Sequence, residues 1–342
     1  MHLALPDPAV GAPDGDVLHG AAEAAHGHFL KVLAALDGKV DRTFRIHDVD
    51  RADLLALIQP FCYESGRRGR QPFPLELMLR IHLLQIAYNM SDPQMEDFLH
   101  ENSTARKFVG LALADRTPDE STILQFRHLL EKHNLGKQVL ERVNDGITAA
   151  GLVLSKGRIV DASFIEAPSS TKNRDHKRDP EMSSGKKGNT WHFGMKMHVA
   201  TDDIIGIVTN AVYGPANEHD ISRARELIPS ETEQVYGDAG YVGMGKREEF
   251  QTDKEAEKRS YRINLRPGVL KGRSAEDLIR KIEHFKSSVR CKVEHVFARV
   301  KLQMSYRKTR YRGIAKNAHR INTMLALCNL FTFDCYLKRL TA

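Results

Sequence analysis

Cysteine is scarce in this chain. Its four thiols, Cys62, Cys291, Cys328 and Cys335, show no C-x-x-C spacing. That scatter speaks against a disulfide framework and a structural zinc site, and it suits a reducing compartment. Long apolar runs are also missing. No stretch approaches the ~20 residues that a membrane span requires, and the N-terminus has no basic segment followed by an apolar one. A cytosolic protein, neither secreted nor membrane-embedded, is therefore expected. Acidic residues fall short of basic ones, 44 against 51, leaving a formal charge of +7. This balance favours a polyanionic partner, nucleic acid first, and says nothing about fold. What the chain does have is length and apolar content: 342 residues, 41% of them hydrophobic. That is enough for two domains or one large one, and it excludes wholesale disorder. No internal repeat is visible.

The first 27 residues are rich in Ala, Gly, Asp and Pro without a sustained helical period, so residues 1–50 are expected to form a partly disordered arm. From 51 to 151 the pattern is helical. Capping boxes at Ser91-Asp92-Pro93-Gln94 and Thr117-Pro118-Asp119-Glu120 mark two helix starts. A further helix begins at Pro74 and is apolar on most sides, which predicts burial. The helix after Thr117 turns Ile123, Leu124, Phe126, Leu129 and Leu130 inward. Gln125, Arg127, His128 and Lys132 are left outward, either as a DNA-reading surface or as a plain solvated one. The loop from Gly110 to Thr117 is longer than the turn of a helix-turn-helix.

At Gly157 the period changes. Arg158 to Ile165 reads as a strand centred on Asp161, opening a second domain over 152–342. Residues 169–190 carry Lys172, Arg174, Lys177, Arg178, Lys186 and Lys187 with little apolar content. They are expected to form a mobile basic loop, a linker or a grip on DNA phosphates. Strand-like runs follow at Trp191 to Ala200 and Ile204 to Tyr213 around a turn at Thr201-Asp202-Asp203. Next come a helix through Leu227, a short strand ending before Asp238, a helix from about Lys246 to Glu257 and a strand from Ser260 to Leu265. The cap Ser274-Ala275-Glu276-Asp277 then opens a long helix. The order βββ-αβαβ-α describes a mixed α/β sheet covered by helices, the order that the ribonuclease H-like fold uses.

On the long helix, Arg290, Glu294 and Lys301 fall within about 40° of one another, while Val289, Val293, Val296 and Val300 form a separate stripe. Alone this could be an ordinary i,i+4 ion pair. Asp161 and Asp238 change its meaning. The three acids stand on a first strand, at the end of a fourth strand and on the helix after the last strand, places that can converge in such a fold. Phosphodiester chemistry calls for such a set, because two divalent ions ~4 Å apart need hard oxygen ligands and open positions. From Arg280 to Gly313 there are eleven Lys or Arg against Glu283 and Glu294. This strip, with the run Arg307, Lys308, Arg310 and Arg312 and with Tyr306 and Tyr311 interleaved, suits DNA backbone and unpaired ends. His192 and His198 share a strand face at a spacing foreign to zinc sites, so structural or DNA roles are expected. His219 and Asp220 either cap the next helix or orient groups near the acids.

These residues resemble the DDE transposases of bacterial insertion sequences, specifically the insertion-sequence-five family. The resemblance rests on Ile159-Val160-Asp161-Ala162, Glu166 to Asn173, Trp191-His192-Phe193-Gly194-Met195-Lys196, Asn217-Glu218-His219-Asp220, Asp238-Ala239-Gly240-Tyr241 and Arg290-x3-Glu294-x6-Lys301. It spans about Pro72 to Phe331. Ser287 stands where the family's Tyr-x2-Arg-x3-Glu-x6-Lys signature has tyrosine. The resemblance implies that Asp161, Asp238 and Glu294 are the catalytic, metal-binding triad, with Arg290 and Lys301 as phosphate-binding partners. It implies a helical DNA-binding domain over 51–151, a ribonuclease H-like catalytic domain with basic C-terminal helices over 152–342, and two Mg²⁺ (or Mn²⁺) ions per site. The substrates would be the element's terminal inverted repeats and target DNA, handled by a homodimer or larger assembly in a bacterial, nucleoid-associated setting. The expected reaction is hydrolytic cleavage at the element's end, followed by in-line attack of the freed 3′-hydroxyl on target DNA. A nuclease of the same fold and a domesticated DNA-binding regulator are the rival readings.

Overall fold

The computed structural model describes residues 51–62, 71–150, 152, 154–252, 258–272, 274 and 277–341; the expected N-terminal arm lies outside them. Among the described residues six α-helices come first: α1 (Arg51–Ile58), α2 (Leu75–Ala87), α3 (Asp92–Glu101), α4 (Ser103–Val109), α5 (Glu120–Lys132) and α6 (Leu135–Ala149). Strand β1 (Gly157–Glu166) is followed by β2 (Ser183–Lys187), β3 (Thr190–Asp202) and β4 (Val208–Pro215). The chain continues through α7 (Ala224–Leu227), β5 (Gln234–Gly237), α8 (Glu248–Gln251), β6 (Ser260–Ile263), α9 (Pro267–Leu270), α10 (Leu278–Ala298) and α11 (Ile314–Thr341).

The local chemistry of the helical region explains its boundaries. At Ser91 the expected capping box forms: its Oγ accepts from the Gln94 amide, and the Gln94 side chain accepts from the Ser91 amide. The second expected box does not. Asp119, not Thr117, caps α5 by accepting from the Thr122 amide at 2.7 Å. Thr117 instead accepts from the Arg106 guanidinium at 2.7 Å, because a buried cation needs partners more than the helix needs an extra turn. Helix α2 is buried over Leu77–Leu79 and Ile81–Ala87, as its apolar sequence requires.

The sheet follows from direction and register. β3 lies antiparallel to β1, with Asp161 opposite Val199, and antiparallel to β4. β5 lies parallel to β1, and β6 parallel to β5. The resulting order β4-β3-β1-β5-β6 is that of a ribonuclease H-like fold. One face is covered by the short helices, with Val160, Ala200, Leu227, Val235, Tyr241 and Phe250 in its core. Helix α10 packs on β1, β3 and β5, and α11 packs on β4 and on helices α2 and α6.

Three expectations change here. The basic loop 169–190 contains a fourth strand: β2 pairs with the overhanging start of β3 through the two-residue turn Gly188-Asn189. Gly188 takes φ +60 there, the backbone such hairpins demand. The helix expected from Lys246 to Glu257 shrinks to single turns at Met244–Lys246 and Glu248–Gln251, with 253–257 outside the described residues. Asp277 caps α10 through the Ile279 amide at 2.8 Å, three residues after the expected Ser274. Among the described residues no helix is long and apolar enough to cross a membrane.

Candidate active site and nucleic-acid interface

Two neighbouring strands build the centre of the site. Ile159 on β1 stands level with Tyr236 on β5, so Asp161 and Asp238, each two residues further on, come abreast at the C-terminal edge of the parallel pair. Asp161 is buried, at 9% exposure. Its Oδ1 accepts from the Ala162 amide at 2.8 Å and its Oδ2 from the Arg290 Nη2 at 3.1 Å. Burial pushes its carboxyl up to about 6; Arg290 and the Ala162 amide oppose the rise, and the nearby Asp238 charge adds to it. Asp238 leaves β5 as the cap of a single helical turn, its Oδ1 accepting from the Gly240 amide at 2.8 Å.

Helix α10 brings the third group. Arg290 reaches Asp161 with one nitrogen and the Asn264 Oδ1, at 3.3 Å, with another. Asn264 in turn donates to Glu283 and to the Ser287 Oγ at 3.2 Å. The serine at the signature's tyrosine position thus helps hold the residue that holds Arg290. Glu294, one turn beyond Arg290, is exposed, and its side chain makes no hydrogen bond or ion pair among the described residues. The helix does not continue regularly to Lys301: a π-helical turn spans Arg299–Gln303, a feature that recurs at functional sites. Burial, then the Lys187 charge, lowers the Lys301 pKa, while Glu166 and Glu294 oppose the shift. Lys301 therefore lies near both Glu294 and β2.

As to metal, all the carboxylates here are hard oxygen donors, which is the chemistry a Mg²⁺-like ion selects. Asp161 and Asp238 fit as an adjacent pair. Among the described residues, however, no three His, Cys, Asp or Glu side chains are gathered closely enough to hold an ion. The Arg290 guanidinium balances Asp161 in this arrangement, and the Glu294 side chain lies out in solvent.

Neighbouring groups link the sequence motifs. Lys196 donates to Asp220 at 2.8 Å and to the Glu218 carbonyl at 2.6 Å, so Trp191–Lys196 and Asn217–Asp220 meet in one ion pair. Asp220 is therefore not a helix cap. Tyr241, whose hydroxyl is buried, has its pKa raised by burial and then by the charges of Asp220, Asp161 and Asp238. His192 and His198 part company. His192 Nδ1 lies 3.0 Å from Glu166 Oε1, whereas His198 is fully buried and 3.9 Å from Asp220. Asn264, Lys196 and Tyr241 escaped sequence reasoning; the only signal was that the last two sit inside recognised motifs.

The expected DNA contacts divide. Lys172 is exposed on the loop after β1, and Lys186 and Lys187 are exposed on β2. Arg307 and Lys308 are exposed beside the end of β1, where the Arg307 carbonyl accepts from the Glu166 amide. Arg310 and Arg312 are also exposed but engaged: Arg310 donates to the Asn89 carbonyl, and Arg312 pairs with Asp175 at 2.7 Å. Arg127 is a correction. It is 5% exposed and pairs with Asp92 at 2.8 Å and Glu131 at 2.7 Å, so it faces the core and reads no bases. Tyr306 is fully buried with its hydroxyl on Asn317, and Tyr311 lies under Arg127. Neither ring is free to stack on DNA.

Residues 154–330 match the family model described as transposase DDE domain, and residues 32–129 match one described as transposase domain (DUF772). Among solved structures, the chain is similar to the piggyBac transposase in the cryo-EM structure of its synaptic complex with hairpin DNA. That likeness has TM-score 0.45 and 12% identity over 90% of this chain and 75% of the other.

Proposed function

This chain belongs to the DDE transposase family, and we propose that it binds the terminal inverted repeats of a bacterial insertion sequence of the insertion-sequence-five type, cutting the DNA there and joining it to a target. Transposases of this class depend on divalent metal; the ions here would be Mg²⁺ or Mn²⁺, two per site. The observation that carries the reading is the pair Asp161 and Asp238, abreast on parallel strands with Arg290 on the buried one. Asp161, Asp238 and Glu294 would hold the ions, which would offset the charge developing on the attacked phosphate and on the attacking and leaving oxygens.

The chain's own groups have separable tasks. Arg290 opposes the effect of burial on Asp161 and stands on the same helix as Glu294. Lys301 and Lys187 place positive charge beside that helix, where a DNA phosphate can sit, and Lys172, Arg307 and Lys308 extend it across the surface. A homodimer or larger assembly would bring two element ends together.

Glu294→Gln tests the reading. The amide keeps the size of the side chain but loses its charge, so cleavage and joining of labelled element ends should be abolished while end binding stays near wild type. Cleavage at the wild-type rate would remove Glu294 from the triad. Joined products from the wild type separate a transposase from a nuclease of the same fold, which would only hydrolyse.

A further inference from the structure

We infer that Trp191 is a stacking platform for a nucleobase unpaired from its DNA strand, carried on the β2–β3 ribbon that overhangs the active-site edge of the sheet. This rests on the transposase reading and adds a ligand site to it.

Trp191 is the only tryptophan in the chain, and 67% of it is exposed. The exposed indole offers a large, rigid apolar face, and the cations around it say what could lie on that face. The ribbon is ordered by its own pairing: Lys186 stands directly opposite Trp191, and Lys187 opposite Thr190 across the turn. Both lysines are exposed. Two residues along the same face, the Arg178 guanidinium lies 5.3 Å from the Phe193 ring centroid. The platform is thus an aromatic face bordered by cations, a composition that fits a base with its phosphates and repels a basic protein surface.

Placement adds to composition. β1 ends at Glu166, opposite Gly194, so Thr190 to Phe193 project beyond it. Gly194 lies so close to β1 that an added Cβ would sit 2.1 Å from the Ile165 carbonyl, and only glycine lets the ribbon leave the sheet there. Because β1 and β5 are parallel, the overhang lies past the same edge where Asp238 ends β5. At about 3.3 Å per residue, Trp191 lies roughly 26 Å along β3 from the level of Asp161, a reach of several base steps. Lys301, in the π-helical turn after α10, lies near enough to Lys187 and to Glu294 to feel both charges, so positive charge continues from the ribbon toward the acids. DNA lying in the site would run along the ribbon, and a base released from its stack would meet the indole.

A lone tryptophan reports on itself. The probes are a labelled duplex with a short central unpaired bubble and its fully paired counterpart, added to the full-length protein. Saturating bubble DNA should quench Trp191 fluorescence and shield it from acrylamide, more than the paired duplex does. Trp191→Ala should weaken bubble binding about tenfold and leave duplex binding near wild type, with Trp191→Phe retaining most of the preference. Unchanged fluorescence at saturation with both DNAs, or an equal loss on both probes in Trp191→Ala, overturns the proposal and leaves the transposase reading standing. A concentration-dependent blue shift without DNA would assign the ring to a contact between copies and also overturn it. Failure of the wild type to bind either probe would sink the transposase reading and this proposal together.

Discussion

Arg127 shows how one side chain can change role between a helical wheel and a fold. Its guanidinium lies over the Tyr311 ring at 4.4 Å and ties Asp92 on α3 to Glu131 on its own helix. Burial works against its charge, yet Asp92, Tyr311 and Glu131 together hold its pKa above the ordinary value, and Asp92 is correspondingly lowered. Removing one member of such a set strands the others. Arg127→Ala should therefore destabilise the fold by about 3–5 kcal/mol, read as a fall in the urea midpoint. DNA affinity should fall equally for element ends and random DNA, in proportion to the folded fraction lost. A variant of wild-type stability with altered end preference would return Arg127 to the DNA surface.

Helix α11 shows the same principle over a whole element. From His319 to Phe331 it is buried all round, because helices α2 and α6 contact it as well as strand β4. A polar residue inside such a helix must find partners. Asn329 does so by imitating a strand: its Oδ1 accepts from the Val208 amide at 2.8 Å, and its Nδ2 donates to the Val208 carbonyl at 2.8 Å and to Asn144 at 2.7 Å. One amide thus satisfies β4 and joins the helical region to the sheet. Asn329→Ala should cost about 1–3 kcal/mol, since the buried Val208 amide loses the oxygen it donates to, while the Val208 carbonyl keeps a second bond from the Asn144 Nδ2 at 3.0 Å. Asn329→Asp, which turns a carboxylate oxygen on the Val208 carbonyl and the Asn144 Oδ1 inside the core, should cost more than the alanine variant. Urea denaturation of the three proteins checks the order, and an alanine variant as stable as wild type would show that water replaces the amide.

For the whole molecule, the response to acid follows from histidines buried where the helical region meets α11. Burial first, and then Arg127 and Arg320, lowers His319 to about 4, and His82 is lowered well below its ordinary value by burial and the same neighbours. His198, on β3, is also lowered to about 4, chiefly by burial. A folded-state pKa below the unfolded one means that the unfolded chain binds more protons between the two values. Stability is then full above about pH 6.5 and falls as pH drops toward 4. Urea midpoints should decline from pH about 7 to pH about 5, and His319→Gln should reduce that slope by up to one proton's share. An unaltered slope in the variant would mean that His319 titrates normally.

Short-range rules determined much of this protein from sequence alone. The Ser91 capping box, the strand around Asp161 and the acid closing β5 all depend on neighbours a few residues apart, so periodicity and turn chemistry reveal them. Their order, strand then strand then helix, was enough to indicate the sheet topology and to single out Asp161, Asp238 and Glu294 as candidates. Only the tertiary structure decided which charged and aromatic groups face inward. Arg290 meets Asp161 across 129 residues of sequence, and Arg127 meets Asp92 across 35. A helical wheel sets every arginine outward because it cannot see a distant carboxylate. The same blindness made Tyr306 and Tyr311 look free and hid Trp191, since a ring's exposure depends on which strands and helices arrive to cover it.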